Sequence, residues 1–136
     1  MSTVHTRKRP EFRNINISQI AGYRLPLAGL VSILHRVSGA LMFFLLPFTL
    51  WMLDTSLRSE QSYAQLAQFL GLWPVKLLLL VLFWALAHHL AAGVRHLVMD
   101  AFQTVSKEQG RKLAVATFAV SLLATAAFAA HLFVGA

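Results

Sequence analysis

The chain has 136 residues and no cysteine, and it is 57% hydrophobic but only 12% charged. That balance is wrong for a soluble domain of this size and right for a membrane protein. Without cysteine there are no disulfides, no Cys-ligated clusters and no thiolate chemistry. The net charge of +7 could point to nucleic acid, but the placement of the charges, given below, makes it a topology signal instead.

The first stretch, "MSTVHTRKRPEFRNINISQIAGYRLP", is polar and basic, and no small-residue cleavage pattern follows it. We expect a basic N-terminal segment over 1–25 and a retained first span, followed by one helical membrane domain over 26–136. Apolar stretches fall at about 26–53, 72–99 and 112–135, each long enough for the roughly 20 residues that cross about 30 Å of hydrocarbon. The expected fold is therefore all-α, a bundle of three transmembrane helices. Pro26 suits the first turn of span 1, because its missing N–H is not needed there. Pro47 removes a backbone bond to Phe43 and predicts a kink. Asp54 and Thr55 end the span. The connection "DTSLRSEQSYAQLAQFLG" is long enough for a short surface helix, flanked by Trp51 and Trp73 at interfacial positions.

Span 2 runs from Leu72 to about Met99, with Asp100 at its end. In the link "QTVSKEQGRK", Gly110 is a plausible break. Span 3 is rich in small residues, among them Ala114, Ala119, Ser121, Ala126 and Ala130. Small residues let helices approach closely where lipid provides no hydrophobic drive.

Arg7, Lys8, Arg9, Arg13 and Arg24 precede span 1, and Lys107, Arg111 and Lys112 fill the second connection. The first connection carries only Arg58, and nothing basic follows span 3. The positive-inside rule then places the N-terminus in the cytoplasm and the C-terminus on the opposite side. Attraction to anionic lipid is a secondary effect, and nucleic acid is not an expected partner.

Two polar groups interrupt the apolar runs. Ser32, His35, Arg36 and Gly39 follow i, i+3, i+4, i+7 spacing and share a helix face. Counted from Pro26, Ser32 lies about 9 Å in and Arg36 about 15 Å in. The bland reading of Arg36 is an arginine snorkelling to lipid phosphate; the sharper one is a polar site. In span 2, His89, Gly93, His96 and Asp100 share a face, while His88 points about 100° away, on a face with Arg95. A histidine with a glycine one turn away suits a flat cofactor, so spacing favours His89 and leaves His88 open. The bland reading of either is a hydrogen bond to a neighbouring helix. Spans 1 and 2 are antiparallel, so Ser32, His35, Arg36, Arg95, His96 and Asp100 converge near one side, with His89 deeper. A basic cluster above a deep histidine can accept a haem propionate while the imidazole takes iron. His131 lies near the opposite side, so a second axial histidine is expected from another subunit. Asp100, at a helix C-terminus, should find a cation in Arg95, Arg36 or another chain.

Arg9-Pro10 followed by "SILHRVS", and then "HLAAGVRHLVMD" starting at His89, resemble the two signatures of the cytochrome b membrane-anchor subunit of succinate dehydrogenase, respiratory complex II. Glu11 and Phe102 depart from the family's usual residues, outside the polar groups. The resemblance implies that His89 is an axial ligand of haem b and that Ser32 and Arg36 contact ubiquinone. It implies that His35, Arg36, Gly93, Arg95 and His96 line the haem pocket or clamp its propionates. It further implies a bacterial inner-membrane complex with a flavoprotein, an iron–sulfur protein and a second hydrophobic anchor that shares the haem. Electrons pass from succinate through the iron–sulfur chain to quinone, and no activity is expected of the isolated chain. Two other classes compete: a small proton-coupled transporter and a cofactor-free structural anchor. The first normally needs an ionisable group at mid-membrane, often a carboxylate. Here Asp54 and Asp100 sit at span ends, and no Glu lies within a span.

Overall fold

The computed structural model describes residues 22–103 and 106–134. Among these residues the fold is all-helical, with four helices: α1 (Leu27–Arg58), α2 (Glu60–Leu70), α3 (Trp73–Phe102) and α4 (Lys107–Val134). Three of them, α1, α3 and α4, are long and apolar enough to cross a membrane. In hydrocarbon every backbone N–H and C=O must be satisfied within the segment, which a helix achieves and an open strand does not. The protein is thus a multi-pass membrane protein. The basic residues Arg7, Lys8, Arg9 and Arg13, and the Arg9-Pro10 pair, lie outside the described residues.

α1 starts where Pro26 accepts the first backbone bonds from Gly29 and Leu30, and it continues through Pro47 to Arg58. It does not stop at Asp54. The Asp54 carboxylate pairs with Arg58 one turn on, and the Ser56 hydroxyl bonds back to the Leu53 carbonyl. Both bonds lie along the helix and extend it. The connection does hold a short helix. The Ser59 side chain accepts from the Ser62 N–H while Ser62 reaches back to the Ser59 N–H, a reciprocal cap that starts α2. Ser62 also donates to the Thr55 carbonyl at 2.8 Å, and Trp51 meets Phe69 edge-on at 5.6 Å. α2 is thereby folded back against the end of α1.

α3 begins with Pro74 in its first turn and ends at Gln103, whose φ of 48° is left-handed. The helix-breaking conformation therefore falls on Gln103 and not on Gly110. Gly110 is buried within the first turn of α4, its N–H bonded to the Ser106 carbonyl. The start of α4 is set by Ser106 and Gln109, each side chain bonding the other's backbone N–H.

α3 is central. It packs against α1 on one side and α4 on the other, and α1 and α4 also touch. The shared core is small: Val31, Ala92 and Ala114, with Ala28 and Phe118 against them. Large apolar side chains such as Phe43, Phe44, Leu90, Leu97 and Leu123 face outward. That inversion suits a lipid solvent, where close backbone approach and polar contacts hold helices together. At the far end Lys76 Nζ donates to the Leu132 carbonyl at 2.9 Å and lies 5.8 Å from the Phe133 ring. The start of α3 is thus fastened to the end of α4.

An odd number of spans puts the start of α1 and the end of α4 on opposite sides of the membrane. By the charge asymmetry, a reporter fused after Val134 should read as periplasmic and one fused before Leu27 as cytoplasmic. The same reading at both positions would contradict the three-span arrangement.

Candidate functional site: a histidine cluster between the first and third helices

α1 and α3 bring His35, His89 and His96 together. The His35 and His89 rings stack at 4.1 Å with 18° between their planes, and the His35 and His96 rings lie 5.3 Å apart. The i, i+7 spacing of His89 and His96 presents both to α1.

The His35 backbone carbonyl is the meeting point. It accepts from the Ser38 hydroxyl at 2.9 Å and lies 3.0 Å from His89 Nδ1. Ser38 Oγ is itself 3.4 Å from Nδ1. A carbonyl oxygen can only accept, so Nδ1 carries the proton, and the lone pair is left on Nε2. Nε2 has no partner among the described residues. Of the two glycines beside the cluster, Gly39 makes this approach possible. A Cβ on Gly39 would stand 2.9 Å from His89 Cε1 and 3.2 Å from Nδ1, and one on Gly93 would stand 3.8 Å from His35 Nε2. The first distance excludes a side chain unless the His89 ring moves, while the second is ordinary contact.

The other expected site residues are distributed as follows. Ser32 is half-buried and Arg36 exposed, on the same face of α1 as His35. Neither side chain bonds another described residue. Asp100 is exposed, and no ion pair to it forms among the described residues. Neither Arg95 nor Arg36 partners it within this chain. Arg95 departs from expectation. It is only 5% exposed and lines a groove between α3 and α4, away from the histidine cluster. The reason is angular. Arg95 is six residues from His89, about 120° round the helix, and seven from His88, with which it shares a face.

His88 goes to that side too. It is fully buried, with Nδ1 3.3 Å from Ser121 Oγ on α4 and its ring beside Trp84 and Phe118. This is the interhelical hydrogen bond of the bland reading. The described residues hold no group of three or more His, Asp or Glu placed to chelate a bare ion. Ser38 is the contact within the cluster that sequence reasoning missed. Its signal was present, as the last residue of "SILHRVS", one turn after His35.

The fold and site together define a three-span helical anchor with a polar cluster near one membrane face. Residues 6–128 match the family of succinate dehydrogenase/fumarate reductase transmembrane subunits. The chain is 33% identical over 114 residues to a succinate dehydrogenase cytochrome b556 subunit of Coxiella burnetii, covering 82% of this chain and 90% of that one. It is 31% identical over 123 residues to the subunit of the same name from Paracoccus denitrificans, covering 90% and 91%. For the Rickettsia felis subunit of that name the figures are 32% over 93 residues and 68% of each chain. The chain belongs to the succinate dehydrogenase/fumarate reductase transmembrane subunit family.

Gly39→Ala should weaken the packing of α1 on α3 by about 1–3 kcal/mol, the usual penalty for overfilling a tight contact. Gly93→Ala should have a much smaller effect. Thermal unfolding of the two variants in the assembled membrane complex measures the difference, and equal midpoints would refute the tight approach at Gly39.

Proposed function

We propose that this chain is the cytochrome b anchor subunit of a succinate:quinone oxidoreductase in a bacterial inner membrane. In this reading it holds haem b through His89 and helps bind ubiquinone through Ser32 and Arg36. The observation that carries it is the state of His89. Its Nδ1 is held against the His35 carbonyl, leaving Nε2 as the ring nitrogen with a lone pair for iron. A metal-bound histidine typically has its other nitrogen held in this way. The donor chemistry fits haem, and Gly39 lets the His89 ring pack close against α1.

Haem b, when bound, supplies a one-electron carrier. His89 would anchor it, and His35, His96 and Arg36 lie on the side where propionates would sit, with Gly93 facing the His35 ring. Arg95 is not part of this pocket in our reading, since it faces α4. His35 lies at the same depth, but its ring is stacked face to face on His89 at 4.1 Å, so the two imidazoles cannot flank one iron as they stand, and the second ligand comes from another hydrophobic subunit. The remaining partners are a flavoprotein and an iron–sulfur protein docked on the cytoplasmic side, where α1 begins and α3 ends.

Ser32 and Arg36 are hydrogen-bond donors one turn apart, without side-chain partners among the described residues. A quinone carbonyl gains negative charge as it is reduced, and donors aimed at that oxygen stabilise the charge where it develops. The charge on Arg36 is permanent, so it acts as a fixed electrostatic partner, while Ser32 adds a shorter, orienting bond.

His89→Leu in the assembled complex should abolish or shift the haem b absorption band. His88→Leu should keep the band and lower stability, because it removes the bond to Ser121. The reverse pattern would sink the assignment. Arg36→Leu should lower quinone reductase activity about a hundredfold or more, by analogy with loss of one oxyanion donor. It should spare succinate oxidation by a water-soluble acceptor that takes electrons upstream. Full quinone activity with normal haem content in that variant would remove Arg36 from the quinone site.

A further inference from the structure

α3 and α4 enclose a groove of about 600 Å³ on the far side of α3 from the histidine cluster. Its walls are almost wholly apolar, with Phe83, Leu90 and Val94 from α3 facing Ala116, Val120 and Ala124 from α4. Arg95 lines the same groove. Its guanidinium makes no hydrogen bond or ion pair with any described residue, and its Nε is buried without a partner. An arginine cannot shed its proton. Burying an unpaired cation is strongly unfavourable, so an anion is required there.

We propose that the groove is a binding site for one membrane phospholipid, with an acyl chain along the apolar walls and the phosphate on Arg95. Length supports an acyl chain. From Phe83 to Val98 the groove follows α3 for about 22 Å, longer than the roughly 15 Å half-thickness of the hydrocarbon.

Depth supports the phosphate. α3 has 30 residues, about 45 Å, which leaves about 7 Å of headgroup region at each end. Arg95 is about 10 Å from the end of the helix, just inside the hydrocarbon edge and within side-chain reach of the phosphate level. Phosphate geometry also matches the planar donor fork of arginine.

Charge complementarity favours a net anionic headgroup. At the same end, α4 opens with Lys107, Arg111 and Lys112, set against Glu108, which pairs with Lys112 at 2.8 Å, and the exposed Asp100 of α3, so cations still outnumber acids. Lys107 and Arg111 therefore stay available to the headgroup beyond the phosphate. The site is separate from the haem and quinone residues and does not depend on their assignment.

The test uses the whole complex in phosphatidylcholine nanodiscs carrying a trace of phosphatidylglycerol with a photoactivatable diazirine in its acyl chain. After illumination, labelled peptides are mapped by mass spectrometry. Labelling should concentrate on the stretches 83–98 and 113–124, and unlabelled phosphatidylglycerol should compete it away better than phosphatidylcholine. Arg95→Gln should reduce groove labelling about tenfold, the loss expected for a charge-assisted hydrogen bond. Ala116→Trp, which fills the groove and leaves the charge, should reduce it as well and carries the test if Arg95→Gln fails to assemble. Labelling spread evenly onto the outward faces of Phe43 and Phe44, labelling unchanged in either variant, or equal competition by phosphatidylcholine would overturn the proposal. Absence of groove labelling in the unaltered complex, as when a partner subunit's carboxylate occupies Arg95, would overturn it too.

Discussion

One backbone oxygen, the carbonyl of His35, fixes the relation between α1 and α3. It receives the Ser38 hydroxyl and faces His89 Nδ1 at 3.0 Å. In water such a contact would contribute little, because solvent competes for both groups. In a bilayer no solvent substitutes for them, and small residues have to bring the backbones close enough for it to form. Gly39 does so here, since a methyl group at that position would meet the imidazole at 2.9 Å. The stacking of His35 on His89 and the approach of His96 follow from the register this contact sets.

Adjacent histidines then serve unlike purposes because α3 is the middle helix. A residue step of about 100° separates the α1 side from the α4 side. His89 turns toward α1 and keeps one nitrogen free, whereas His88 turns toward α4 and is sealed against Ser121 and Phe118. Arg95 follows His88. The same helix therefore carries a half-exposed cluster on one side and a buried cation on the other.

The three spans were legible because length and apolarity alone decide what can cross a bilayer. The shared face of His89, Gly93 and His96 was legible because helical spacing decides it. What one sequence could not show was which neighbour each face of α3 would meet. Arg95 was grouped with the propionate cluster by depth, and depth is blind to rotation about the helix axis. The turn before α4 was misjudged differently. Gly110 drew attention as a breaker, while the S-x-x-Q pattern of Ser106 and Gln109, a legible start signal, set the boundary. Gly110 was needed instead as a small buried residue in the first turn of α4.

The two ends of the bundle differ in how far their polar groups are satisfied. At the end where α1 stops and α3 starts, Asp54 holds Arg58, Ser62 bonds both the α2 cap and Thr55, and Lys76 caps α4 through Leu132. At the other end Ser32 and Arg36 have no bond within the described chain, and Asp100 stands in the last turn of α3, where a carboxylate opposes the helix dipole. Unmet polar groups at the edge of a membrane are unfavourable unless something else meets them. Among the described residues these exposed groups gather where α1 begins and α3 ends, the end at which the proposed partners and quinone would meet them.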